Sequence, residues 1–252
     1  MLLCVGVAFA MEPVLELLSG GQIDWTGMRL LVSASAAGGG GSNTSIETME
    51  AEARTRLGPR VLELARRVRV SSDTTAGDLL DAGDAVADRL DANLALWEVY
   101  EARYYTSKAV ELDGALPLQP WLRPALVSLA AGKGRSSPPA SGVSGLVVDA
   151  RGLKVLPAIA PRLKDPSGDV LYAVQGLTEF AAAQRGPVVY VRDPADVAAA
   201  QRAGEEPLFV RAVTVADGTD LVLSAEDAQA VRDAARDAPF LLAGQVVVVV
   251  SP

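Results

Sequence analysis

The sequence contains no histidine. That absence removes serine–histidine and cysteine–histidine nucleophile systems and histidine-ligated zinc. The single cysteine, Cys4, lies near the start of the sequence, so neither an internal disulfide nor a thiolate metal cage can form. Aromatic residues make up 5% of the chain, so the core must be built from Ala, Val and Leu rather than large rings. Lysine occurs only at Lys108, Lys133, Lys154 and Lys164, and arginine carries most of the positive charge, a skew read as genome composition before function. Paired carboxylates remain as possible catalytic groups. Glu98, Glu101 and Glu111 are candidates for glycoside chemistry, but nothing in their spacing fixes the separation it needs. The reading is a non-enzyme with no cofactor and no metal.

The chain has 252 residues, 50% of them apolar, enough for one large domain or two small ones. Its net charge of −8 makes a surface that repels phosphates, which argues against nucleic acid and anionic membranes as partners. Arg66, Arg67 and Arg69 form a local basic spot, read as cations near a helix C-terminus.

Residues 1–10, MLLCVGVAFA, form a short apolar run ending in Ala8-Phe9-Ala10. An A-x-A ending after an apolar stretch has the form of a secretory signal, although no basic residues precede it. A leader is therefore expected over residues 1–20, with export to the periplasm or the outer-membrane periphery. Membrane association would come only through that leader or a lipid, and Cys4 stands too early for a lipid-attachment site. No later apolar run is long enough to span a bilayer.

The expected class is α+β, with two small domains, each a mixed sheet packed by one or two helices. The N-terminal domain covers 21–130, a linker 131–144 and the C-terminal domain 145–252. AGKGRSSPPASGVS marks the junction, because Gly, Ser and Pro replace periodic apolar residues there. Gly38–Gly41 is a second flexible stretch. No Lys-Ser/Thr follows it, which excludes a phosphate loop. Thr44-Ser45-Ile46-Glu47 fits a capping box opening a helix to about Arg67, with Gly58-Pro59 set to kink or restart it.

Residues 74–95 predict another helix whose aspartates, Asp78 to Asp91, form a solvated face. Leu96–Leu112 predicts one long or bent strand, Asp113-Gly114 a turn, and Trp121 a core residue or a surface anchor. In the second half, Asp165-Pro166-Ser167-Gly168 reads as a turn and Asp217-Gly218 as a hairpin tip. Ser224 reads as a helix cap, and Val246–Val250 as a central strand.

The stretches SGLVVDARGLKVLPAIAPRLKDPSGDVLY, TDLVLSAEDAQAVRDAA and FLLAGQVVVVV resemble bacterial outer-membrane and flagellar accessory proteins of the FlgP-like, LPP lipoprotein type. The likeness is most specific at Asp149-Ala150-Arg151-Gly152 with Pro157 and Pro161. It implies an exported, non-enzymatic protein acting in envelope or flagellar assembly. The absence of a convincing lipid-attachment motif departs from that pattern.

Two sets of residues are candidate binding sites. Asp149, Arg151 and Gly152 sit at a strand end, where a carboxylate and a guanidinium two residues apart point to the same side and can pair to fix the loop or meet a partner. Trp97, Tyr100, Arg103 and Tyr105 could line a pocket for a small ligand or polysaccharide. The leading expectation is assembly or scaffolding through contacts with envelope or flagellar proteins, or with itself as a homo-oligomer. A periplasmic ligand-binding module is the alternative.

Overall fold

The computed structural model of the protein describes residues 12–37, 45–131 and 142–251. The Ala8–Ala10 leader, Cys4, the Gly38–Gly41 run, Thr44 and most of the expected 131–144 linker lie outside them. The class is α+β, with two sheets.

The first sheet contains β1 (Leu15–Leu18), β2 (Gly21–Asp24), β3 (Arg29–Ala36), β4 (Glu98–Tyr104) and β5 (Val110–Pro117), in the order β1-β2-β3-β5-β4. Every pair in it is antiparallel, so it is not the mixed sheet expected. Leu15–Leu18, inside the stretch where a leader is expected, form β1 and pair with β2.

Helix α1 (Ile46–Ala65) covers one face of the sheet with Met49, Ala53, Leu57, Val61, Leu64 and Ala65, all buried. Its cap is Ser45, one residue later than the expected box, and the Ser45 hydroxyl accepts from the Thr48 amide. The helix runs unbroken through Gly58-Pro59. The buried stripe continues on both sides of Pro59, and tertiary packing of that stripe outweighs the lost amide donor. Arg56 and Arg60 donate to the carbonyls of Ser35 and Ser33, satisfying the end of β3 that extends beyond β2.

Three more helices complete this half, more than the one or two expected. The predicted 74–95 helix is two, α2 (Ala76–Asp81) and α3 (Ala85–Asn93), split where the Asp84 side chain caps the second. Asp78 forms a capping box with Thr75, so two of the aspartates cap helix starts, while Asp78, Asp81, Asp84, Asp88 and Asp91 are all exposed, as expected for a solvated face. The expected Leu96–Leu112 strand is the β4–β5 hairpin, turning at residues 105–109. Asp113 and Gly114 lie inside β5, where a Cβ on Gly114 would stand 2.7 Å from Leu57 Cδ2. Gly114 lets α1 sit close; it does not turn the chain. Helix α4 (Leu118–Leu129) buries Trp121, whose Nε1 donates to the Leu90 carbonyl at 3.0 Å.

The second sheet has β6 (Leu146–Asp149), β7 (Leu163–Lys164), β8 (Val170–Tyr172), β9 (Val189–Val191), β10 (Leu208–Ala216), β11 (Asp220–Leu223) and β12 (Val246–Val249). Their order is β8-β7-β11-β10-β6-β12-β9, and this sheet is mixed. Strand β12 lies between β6 and β9, parallel to both, with all four valines buried. Val247 and Val249 pack on α6 (Val197–Ala203), while Val246 and Val248 face the main core. Helices α5 (Glu179–Gln184) and α7 (Ala225–Asp237) complete the half, the latter capped by Ser224 as expected. Asp217 and Gly218, both at positive φ, turn the β10–β11 hairpin.

One apolar cluster runs through both halves. Ile159 and Ala160 amides donate to the Arg69 and Val70 carbonyls at 3.0 and 2.7 Å, and the Thr26 hydroxyl donates to the Tyr190 carbonyl at 2.8 Å. Gln119 on α4 donates to the Ala183 carbonyl at 2.7 Å. These bonds satisfy backbone groups that burial would otherwise leave unpaired.

Candidate binding cleft

The residues proposed for an aromatic pocket divide between core and surface. Trp97 is half-buried and packs toward α1, 4.0 Å from where a Gly58 Cβ would stand. Tyr100 is exposed at an irregularity in the β4–β5 register, and Tyr105 is exposed in the turn. Arg103 is fully engaged instead. It reaches Asp113 at 2.5 Å, Glu101 at 2.9 Å and Glu111 at 3.2 Å, and these carboxylates hold it firmly charged. Tyr105 donates to Glu111 at 2.7 Å. Glu111 is held below the usual carboxylate range by Arg103 first and Tyr105 second. Arg103 thus ties Glu101, Glu111 and Asp113 into one ion-pair brace across β4 and β5.

Asp149 and Arg151, of the other candidate set, pair with each other. Arg151 donates from Nε and Nη2 to the two Asp149 oxygens at 2.9 and 2.7 Å, and its amide donates to Asp149 at 3.0 Å. The Arg151 guanidinium holds Asp149 below the usual carboxylate range. Gly152, at φ +85°, turns the chain and donates its amide to the Ser251 hydroxyl at 2.8 Å. The pair is exposed, so its Coulombic contribution is small. Its effect is to set the path of the segment that follows.

That segment borders a cleft. Parallel strands β6, β9 and β12 all end on one side, at Asp149, Val191 and Val249, and open parallel sheets characteristically bind ligands outside those carboxyl ends. Here the first half roofs the space. A cavity of about 650 Å³ lies elsewhere, between β8 and residues 235–242. Its one charged lining residue, Arg162, is already committed to Asp220. The cleft at the strand ends is smaller, about 420 Å³, but chemically richer. Val14, Leu15, Glu16, Trp25 and Arg69 form one wall, residues 153–157 another, and Arg192, Val250 and Ser251 the floor.

Most of its polar groups are anchored. Glu16 accepts from Trp25 Nε1 at 2.9 Å and from Arg69 Nη2. Arg69 also donates to the Pro157 carbonyl at 2.9 Å, and its guanidinium stands 5.8 Å from the Trp25 ring centroid. Arg192 donates to the carbonyls of Pro13 and Ser251. Glu12 approaches Arg192 only at 3.9 Å, with its side chain 71% exposed. Lys154 is exposed and, among the described residues, has no ion-pair partner. The wall thus carries three cations and one carboxylate, and Arg69 takes that carboxylate. Sequence reading singled out Arg69 only as part of a basic helix end. Glu16, Trp25, Lys154 and Arg192 gave no local signal, because they meet only through the packing of the two halves.

Among the described residues no cluster of three or more acidic, cysteine or histidine side chains could hold a metal ion, and no helix is long and apolar enough to cross a membrane. Residues 145–252 match the family model described as Treponema pallidum Tp0624, second domain, so this half is similar to that domain. No curated protein matches the chain.

Proposed function

We propose that the protein is a non-enzymatic component of the bacterial cell envelope, acting in assembly or scaffolding through protein–protein contacts. The observation carrying this reading is the body formed by the two halves. A continuous core joins them, and at their junction they present a charged cleft whose polar groups are mostly spent on architecture. Lys154 and the charge of Arg192 remain for a partner. Two further points support the reading. The 145–252 half is similar to a second domain, a unit used in combination with others. Around Asp149-Ala150-Arg151-Gly152 the chain resembles FlgP-like, LPP-type proteins, which suggests a place at the outer membrane or flagellum.

Cell fractionation combined with chemical cross-linking tests this. The expected result is an exported protein cross-linked to a defined envelope component or to itself. A chain that stays cytoplasmic, remains monomeric at high concentration and cross-links to nothing contradicts it. The cleft volume, about 420 Å³, also falls in the range of small-ligand sites, which favours a ligand-binding module as the second reading. Thermal stabilisation by sugars or small anions, without any partner protein, would select that alternative.

A further inference from the structure

We infer that the cleft receives an extended, acidic segment of a partner protein, added as a strand along the free edge of β1; this rests on the assembly reading above. The backbone comes first. The Trp25 amide donates to the Val14 carbonyl at 2.8 Å, while the Val14 amide donates to the Thr26 hydroxyl at 2.9 Å, so 14–25 sits at a hydrogen-bonding position of the ladder with one of its two bonds made. Hydrogen-bonded pairs alternate along an antiparallel ladder, so Glu16–Ile23 and Leu18–Gly21 are bonded in turn. The amide and carbonyl of Leu15 and Leu17 therefore point away from β2. Strand β1 ends the sheet, and among the described residues no strand pairs with that outer edge. Leu17 is 81% exposed, an unusual position for a large apolar side chain on a strand edge. An extended peptide bonded there would satisfy both residues and cover Leu15 and Leu17, the geometry of strand addition.

Charge selects the occupant. The chain carries −8 overall, yet the cleft beside Leu15 holds Arg69, Lys154 and Arg192 against two carboxylates, Glu16 and the exposed Glu12, which reaches Arg192 only at 3.9 Å. Arg69 and Glu16 neutralise each other. The carbonyls that hold Arg192 fix its position without cancelling its charge. Carboxylates on an added strand would meet Lys154 and Arg192, whereas a basic segment would be repelled by both.

The test uses the full chain and two blocked synthetic peptides, one alternating valine with glutamate and one alternating valine with lysine, with citrate as a free-anion control. The expected result is binding of the acidic peptide with slowed hydrogen exchange at the Leu15 and Leu17 amides, and no binding of the basic one. Lys154→Glu should weaken that binding on the order of tenfold. Leu17→Pro, which deletes an outward amide while leaving the β1–β2 bonds, should weaken it without unfolding the sheet. Equal binding of both peptides overturns the inference, as does citrate matching the acidic peptide. Binding that leaves the Leu15 and Leu17 amides unprotected overturns it as well. If no peptide binds but an envelope partner still cross-links, the inference falls and the assembly reading stands.

Discussion

The ring of Trp25, from the turn that follows β2, meets that of Tyr190, from the mixed sheet, edge to face, with centroids 5.9 Å apart and planes at 68°. Both side chains are fully buried. Tyr190 also donates its hydroxyl to the Ala158 carbonyl at 2.9 Å and accepts from the Ala158 amide at 3.1 Å. One contact thus ties the first half to the sheet, and the sheet to the segment that borders the cleft. Tyr190→Phe keeps the ring but leaves both Ala158 backbone groups unpaired. The expected loss is about 1–3 kcal/mol, read by urea denaturation. Tryptophan fluorescence and far-ultraviolet circular dichroism should report the same single transition, since the halves share one core.

Gly114→Ala places a methyl 2.7 Å from Leu57 Cδ2, closer than contact allows. Either α1 or the Leu57 side chain must move, at a cost of about 1–3 kcal/mol. In a Leu57→Ala background the same change should cost much less. A double-mutant cycle by chemical denaturation measures that coupling.

Asp165 receives Arg232, the Ser167 hydroxyl and the amides of Ser167 and Asp169, and its pKa falls to about 2, with Arg232 the largest cause. A depressed carboxylate stabilises the fold above its unfolded pKa of about 3.9 and loses that contribution as pH falls toward the folded value. Arg232→Gln should therefore reduce stability most at neutral pH. The gap from the parent protein should close as pH drops from about 4 toward 2, as followed by denaturation at a series of pH values.

Arg151→Ala should change global stability by less than about 1 kcal/mol, because the Asp149 pair is exposed. Its effect should instead appear locally, as faster amide exchange at Gly152 and the residues following it. A large global loss would mean that the pair does more than shape its loop.

Much of the second half was legible because its signals are local. Asp217-Gly218 sets the three-residue turn between Ala216 and Asp220, Ser224 caps α7 three residues before the Asp227 amide, and the Val246–Val250 run supplies a strand buried on both faces. The first half misled where local chemistry serves tertiary packing. Gly114 looks like turn glycine, but it is a gap for Leu57. Pro120 and Pro124 hide α4, since only burial of Trp121, Leu122 and Leu126 makes that helix worth forming.

The candidate sites divide the same way. Asp149–Arg151 pair across two residues and could be read directly. Trp97, Tyr100 and Tyr105 share a segment, but Trp97 packs half-buried against the core while Tyr100 and Tyr105 are exposed. The cleft itself was not legible. Glu16, Arg69, Lys154 and Arg192 are far apart in sequence, and no periodicity links them.

The cleft between the halves is proposed to hold a protein partner. A photoreactive amino acid replacing Lys154 in cells tests it most directly, with the same group at the exposed Gln229 on α7 as control. A discrete adduct with one envelope protein is expected from position 154 and none from position 229. Equal labelling from both positions, or no adduct at 154 in cells that export the protein, would contradict it.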